Sequence, residues 1–203
     1  MNPQLAALAV HDLKNALGAL EGELGALESD PSPRLAQAAR RHCVELRQRF
    51  VAFLMLYRGD GDLPLLASDE SPSDFLAGFV RAADPGASVS TRLGDCADAP
   101  PFWYFDPRLL RLALDAALHN AWRFARSEVV LDARLEAGFL VLSVDDDGPG
   151  LGAAADGGAE WSTGLGTELC REIAHAHRNG ERRGLVQLMN RAEGGARFEI
   201  WLP

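Results

Sequence analysis

Val141-Leu142-Ser143-Val144-Asp145-Asp146-Asp147-Gly148-Pro149-Gly150 decides the reading of the fold. Its first half belongs to a strand-like run over Phe139 to Asp145. Its second half is a turn whose glycines allow close backbone approach, so a strand delivers carboxylates into a tight loop. Upstream, Asp106 to Arg126 has the spacing of a long amphipathic helix, and Val129 to Arg134 that of another strand. Downstream, Ser162-Thr163-Gly164-Leu165-Gly166-Thr167 runs into a helix over Thr167 to Ala176. Leu185 to Met189 and Ala196 to Leu202 read as closing strands, Ser73 to Ala83 as a helix and Ser88 to Arg92 as a strand. The expectation is a sheet with helices on one face.

The N-terminal third follows a different period. From Ala6, apolar residues recur at Val10, Leu13, Leu17, Leu20, Leu24 and Leu27, the seam of a helix packed in a bundle. Ser29-Asp30-Pro31-Ser32-Pro33 ends that helix and opens another, with Ser32 as N-cap and Pro33 in the first helical position. The second helix continues the stepping through Ala39, Cys43, Leu46, Phe50, Phe53 and Tyr57 to the breaker Gly59-Asp60-Gly61. Two helices cannot bury so long a seam alone, and pairing with a second copy into a four-helix bundle predicts a homodimer. The organisation expected is α+β: a helical hairpin over 1–60, a linker over 61–70 and an α/β sandwich over 71–203. Gly152 to Gly158, between the two glycine-rich segments, falls where a lid would be.

With 203 residues, 47% hydrophobic and 24% charged, the chain has the composition of a globular protein. A net charge of -9 and the lack of a basic stripe argue against nucleic acid as a partner. No run approaches membrane-spanning length and no secretory signal is evident, which leads to the expectation of a cytoplasmic protein. Cys43, Cys96 and Cys170 fit no metal spacing and read as buried free thiols in a reducing compartment. His42, His119, His175 and His177 read as packing or surface residues.

The candidate chemistry lies at four places. Asn120 offers an amide oxygen suited to Mg²⁺, and Arg123, three residues on, can meet phosphate oxygens. A carboxylate at the end of the 139–145 strand can accept from the amino group of adenine, which guanine would leave unpaired. At Gly164-Leu165-Gly166-Thr167 the backbone N–H groups and dipole of the following helix can receive phosphates. On the first helix His11 falls on the flank of the seam with Asn15 one turn later. Imidazole can attack phosphorus if a neighbour handles its other ring proton; Asp12 is placed to do so, and the Asn15 amide suits hydrolysis of a phosphorylated partner.

Taken in order, these segments resemble the two-component sensor histidine kinases, whose catalytic domain is of the GHKL ATPase type. His11-Asp12-Leu13-Lys14-Asn15 is similar to the H-box, Asn120 with Arg123 to the N-box, Asp146-Asp147-Gly148-Pro149-Gly150 to the G1 box, Gly164-Leu165-Gly166 to the G2 box, and Gly194 to Pro203 to the final strand. The resemblance implies that His11 is phosphorylated from ATP, Asp12 is the general base and Asn15 serves phosphatase activity. It further implies that Asn120 binds Mg²⁺, Asp146 contacts adenine, and Gly148, Gly150, Gly164, Leu165, Gly166 and Thr167 complete the nucleotide site. The receiver is then an aspartate of a response regulator. Ala116 stands where many members carry a second asparagine, Ser162 replaces the first G2 glycine, Ala16 follows the H-box in place of proline, and the Gly150 to Ser162 lid is short and lacks the family's phenylalanine. The expectation is thus a short-lid soluble variant. The alternative is a histidine phosphotransfer protein with a degenerate ATP-binding domain.

Overall fold

The computed structural model describes residues 3–57, 64–83, 88–152 and 165–203. The chain divides into two compact units, Met1–Gly61 and Asp62–Pro203. The first holds two helices, α1 (Pro3–Ser29) and α2 (Pro33–Tyr57). Ser32 opens α2 as its sequence suggests: its hydroxyl accepts from the Leu35 amide at 3.2 Å and its carbonyl from Ala36 at 3.0 Å. Leu20 and Ala39 are buried and His42 Nδ1 lies 2.8 Å from Glu23 Oε1, whereas Leu17, Leu24 and Phe50 remain about half exposed.

The second unit contains, in order, β1 (Ser68–Glu70), α3 (Pro72–Ala82), β2 (Ser90–Leu93), β3 (Trp103–Phe105), α4 (Pro107–Phe124), β4 (Glu128–Glu136), β5 (Phe139–Asp146), α5 (Leu165–Ala176), β6 (Arg178–Asn179), β7 (Arg182–Arg183), β8 (Leu185–Asn190) and β9 (Ala196–Leu202). Five strands form a sheet in the order β2-β4-β5-β9-β8, with β2 parallel to β4 and the rest antiparallel. β1 and β3 make a two-stranded ribbon, as do β6 and β7. β1 lies within the stretch expected as linker, and three residues are too few to show alternation.

Strand alternation sorts the sheet into two faces. Val129, Leu131, Leu140, Leu142, Phe198, Ile200 and Leu202 are buried on one, against α4 and α5. The other face carries side chains that pair across strands: Arg134 lies 2.9 Å from Glu199 on β9 and Arg197 donates to Asp145 at 2.7 Å. β4 turns into β5 through Ala137 and Gly138, both at positive φ, a geometry that matches strand twist in a two-residue hairpin.

α4 starts where Asp106 caps it. The Asp106 carboxylate accepts from the amides of Arg108 (3.0 Å) and Leu109 (3.3 Å), and Pro107 holds the first helical position. The cap is fully buried and also accepts from the Leu66 amide at 2.7 Å, which ties the first residues of the second unit to α4. Burial alone would raise this carboxyl's pKa, but Arg108 and the three amides hold it below the ordinary value.

Candidate functional site

Three consecutive aspartates at the end of β5 point in different directions and have different partners. Asp145 faces the charged side of the sheet and is clamped by Arg197. Asp146, one residue on, turns to the helix side and is 1% exposed. Asp147 lies in the loop, where it accepts from the amides of Arg126 (2.8 Å) and Ser127 (3.0 Å) and from the Ser127 hydroxyl. Desolvation works against ionisation of Asp147, but the Ser127 hydroxyl and these amides outweigh it and hold its pKa well below the ordinary value. Asp147 therefore ties the turn to the α4–β4 connection.

Asp146 is held otherwise. Its Oδ1 accepts from the Gly148 amide at 2.8 Å and the Ala196 amide at 3.3 Å, so both bonds fall on one oxygen. Burial pushes its pKa up and the Asp147 charge adds to that, while the two amides and Arg191 act in the opposite sense. Glycine is required on both sides. A Cβ on Gly148 would lie 2.4 Å from the Phe124 carbonyl oxygen, and one on Gly195 would lie 1.9 Å from that of Asp146. Gly150 sits beside Asn190, whose side chain accepts from the Leu151 amide. The β8–β9 turn thus backs the whole 146–151 loop.

Asn120 is half-buried in a small recess between α4 and α5 that is also lined by Ala116, Ala117, Gly166, Thr167, Cys170, Leu188 and Phe198. Arg123 is not part of that lining; it is exposed, with its guanidinium 5.4 Å from the Phe124 ring centroid. Gly166 is in the first turn of α5, where a Cβ would approach Ala116 to 3.8 Å. Cys170 is buried as expected, its thiol pushed up to about 12 by desolvation, and it is chemically quiet, whereas Cys43 is exposed and Cys96 half-buried, against the expectation of burial for all three. Gly164 and Ser162 lie outside the described residues, as do the Leu165 side chain and those of His11 and Asp12. Asn15 is exposed on α1.

The residues fit a nucleotide carrying its own cation. A buried carboxylate with one oxygen occupied can receive an exocyclic amine, and glycines let a ligand reach the backbone at 148 and 166. Among the described residues no group of three or more His, Cys, Asp or Glu has the placement to hold a metal. A single amide at Asn120 suits Mg²⁺, which takes most of its ligands from phosphates and water. Sequence reading missed Asn190, Arg191 and Gly195, which reach the site only once β9 pairs with β5. The Gly194-Gly195 pair, both at positive φ, was their one local signal.

Residues 105–203 match the family model described as histidine kinase-, DNA gyrase B-, and HSP90-like ATPase. Sensor protein KdpD of Escherichia coli (strain K12) is 29% identical over 223 residues, covering 100% of this chain and 24% of that protein. Sensor histidine kinase CpxA of the same strain is 27% identical over 114 residues, 49% of this chain and 24% of CpxA. The chain spans about a quarter of the length of these relatives. In fold, it is similar to the Acinetobacter baumannii histidine kinase AdeS, with a TM-score of 0.67 at 20% identity over 95% of this chain and 96% of that one. The cytoplasmic segment of histidine kinase QseC gives 0.55 at 23% identity, over 79% and 94%. Among the described residues no helix is long and apolar enough to cross a membrane.

Proposed function

We propose that this chain, which belongs to the GHKL-type two-component sensor kinases, autophosphorylates His11 from ATP and passes the phosphoryl group to an aspartate of a response regulator. The observation that carries the reading is Asp146, a buried carboxylate at a strand end whose hydrogen bonds among the described residues are two backbone amides on one oxygen. Its Oδ2 accepts the adenine amino group, and guanine, with a carbonyl at that place, would be rejected. Asn120 contributes an oxygen to the Mg²⁺ that accompanies the phosphates and neutralises their charge. The first turn of α5, with Leu165, Gly166 and Thr167, presents N–H groups to phosphate oxygens, and Gly164 directly precedes it in the sequence.

In the transfer, an imidazole nitrogen of His11 attacks the γ-phosphorus as the bond to the β,γ-bridging oxygen breaks and ADP leaves. Asp12 receives the other ring proton. Asn15 orients water in the reverse, phosphatase sense. The half-exposed Leu17, Leu24 and Phe50 support a homodimer in which a second copy covers the seam.

The test is incubation with γ-labelled ATP and Mg²⁺, with His11→Gln as control. Label that is lost in acid, kept in base and absent from His11→Gln is expected. A second reading, a phosphotransfer protein that no longer uses ATP, draws on Ala116, which lines the α4–α5 recess with a methyl group where a second asparagine would offer an amide. Folded, dimeric protein that takes no label from ATP but is loaded at His11 by a phosphorylated receiver would establish that reading instead.

A further inference from the structure

Arg191 lies in the β8–β9 turn, which it helps close: its amide donates to the Gly195 carbonyl at 3.0 Å and its carbonyl accepts from the Gly194 amide at 3.2 Å. The side chain leaves the turn and runs under the loop at the end of β5. Nη1 donates to the backbone carbonyl of Asp146 at 2.9 Å. Nε, 3.6 Å from Asp145 Oδ2, is buried and makes no hydrogen bond. An unmade buried donor costs stability. Asp145 does not require this arginine either, because Arg197 already clamps it at 2.7 Å. What the placement does accomplish concerns the next residue.

The Asp146 peptide is gripped from two sides, by Arg191 on its carbonyl oxygen and by the backbone of Gly195 packed against the same atom. Its carboxylate is gripped at Oδ1 by the Gly148 and Ala196 amides. We propose that Arg191 is a positioning residue of the adenine-reading carboxylate: it locks the peptide from which the Asp146 side chain projects and supplies the counter-charge for that side chain. This rests on the nucleotide reading of Asp146 above. The charged groups acting on Asp146 among the described residues come from its own loop, where Asp147 opposes ionisation, and from the β8–β9 turn, where Arg191 favours it. On β9, Arg197 is engaged by Asp145. Desolvation pushes the Asp146 pKa up, so this carboxylate depends on a nearby cation more than an exposed one would.

Two substitutions separate the parts. Arg191→Gln keeps an N–H donor and removes the charge; Arg191→Lys keeps the charge and loses the fork. Binding of ATP and of GTP is measured by titration calorimetry on the full chain at pH 5 and pH 8, with a thermal melt of each variant to show that it is folded. In Arg191→Gln, ATP is expected to bind about threefold more weakly at pH 5 and to be less affected at pH 8. Its preference for ATP over GTP should shrink with the same pH dependence. Arg191→Lys is expected to recover most of the pH 5 affinity. A merely structural arginine would give equal losses at both pH values and for both nucleotides, or none, in folded protein, and either result overturns the inference while leaving the nucleotide reading intact. Parent protein that binds no ATP at either pH overturns both.

Discussion

Around Asp146, polar contacts converge from its own loop, from β9 and from the β8–β9 turn, and two glycines are packed against carbonyl oxygens. At the first turn of α5, Gly166 faces Ala116 with room to spare, since even an added Cβ would come no nearer than 3.8 Å. One wall of the proposed site is thus built before a ligand arrives, and the other is a helix start lying on small residues of α4. A prebuilt wall costs little to organise on binding and discriminates by geometry. A bare helix N-terminus attracts any phosphate through its N–H groups and dipole, so it adds affinity without selecting the base. Substitutions at the first wall should therefore change stability and base selectivity, and those near the second should leave base selectivity alone.

The largest expected effect comes from Gly195→Ala. The added Cβ would lie 1.9 Å from the Asp146 carbonyl oxygen at a φ of +87°, so the turn and the 146–148 loop must separate. A loss of about 3 kcal/mol in urea denaturation is expected, together with loss of ATP binding. A variant as stable as the parent would show that the two loops are not braced against each other.

Asp146→Asn comes next. The amide oxygen can still accept from Gly148 and Ala196, so the fold should persist, but an NH₂ then faces the adenine amino group. ATP affinity should fall about 100-fold, or roughly 2.7 kcal/mol, in titration calorimetry. A change within threefold would mean that adenine is not read there.

Asp147→Asn sharpens the contrast, because the neighbouring carboxylate serves structure. Its folded pKa lies below the ordinary value, so its contribution is present in full above the unfolded value near 3.9 and is lost as pH falls below that. The variant should be about 1 kcal/mol less stable at pH 7, with the difference narrowing in melts below about pH 4. ATP affinity at pH 7 should stay within twofold.

These contrasts also mark what can be read from the chain by itself. The long elements declare themselves by period: α4 and β5 begin and end within two residues of their expected limits. The ribbons β1–β3 and β6–β7 do not, since strands of two or three residues carry no periodic signal, and β1 in addition exists through a partner far away in sequence. Asp-x-Gly-x-Gly singles out Asp146, but nothing local distinguishes the roles of Asp145 and Asp147, which are set by the strand's alternation and by Ser127 twenty residues upstream. Arg191 is still less legible. Its contact with Asp146 spans forty-five residues and requires β9 to lie between β5 and β8.

The smallest effect concerns the far end of the weaker wall. His177, just beyond α5, is buried; its Nδ1 is 2.7 Å from the Ile173 carbonyl, so that nitrogen carries the proton and donates, while Nε2 accepts from the Asp106 amide at 3.0 Å. The end of α5 is thereby fastened to the start of α4. Burial lowers the His177 pKa, outweighing the Ile173 carbonyl and the Asp106 charge, which favour the proton. A histidine that stays neutral when folded and protonates when unfolded stabilises the protein fully above its unfolded pKa near 6.5. That stabilisation is lost as pH falls below 6.5. Between pH 7.5 and 5.5 the parent should therefore lose a little under about 1 kcal/mol more than His177→Gln, which does not titrate and retains both a donor and an acceptor. Equal losses in urea melts of the two proteins would show that His177 takes up its proton without leaving its place. A larger loss in the parent would show that the His177 bridge between α5 and α4 is given up as acid protonates the unfolded chain.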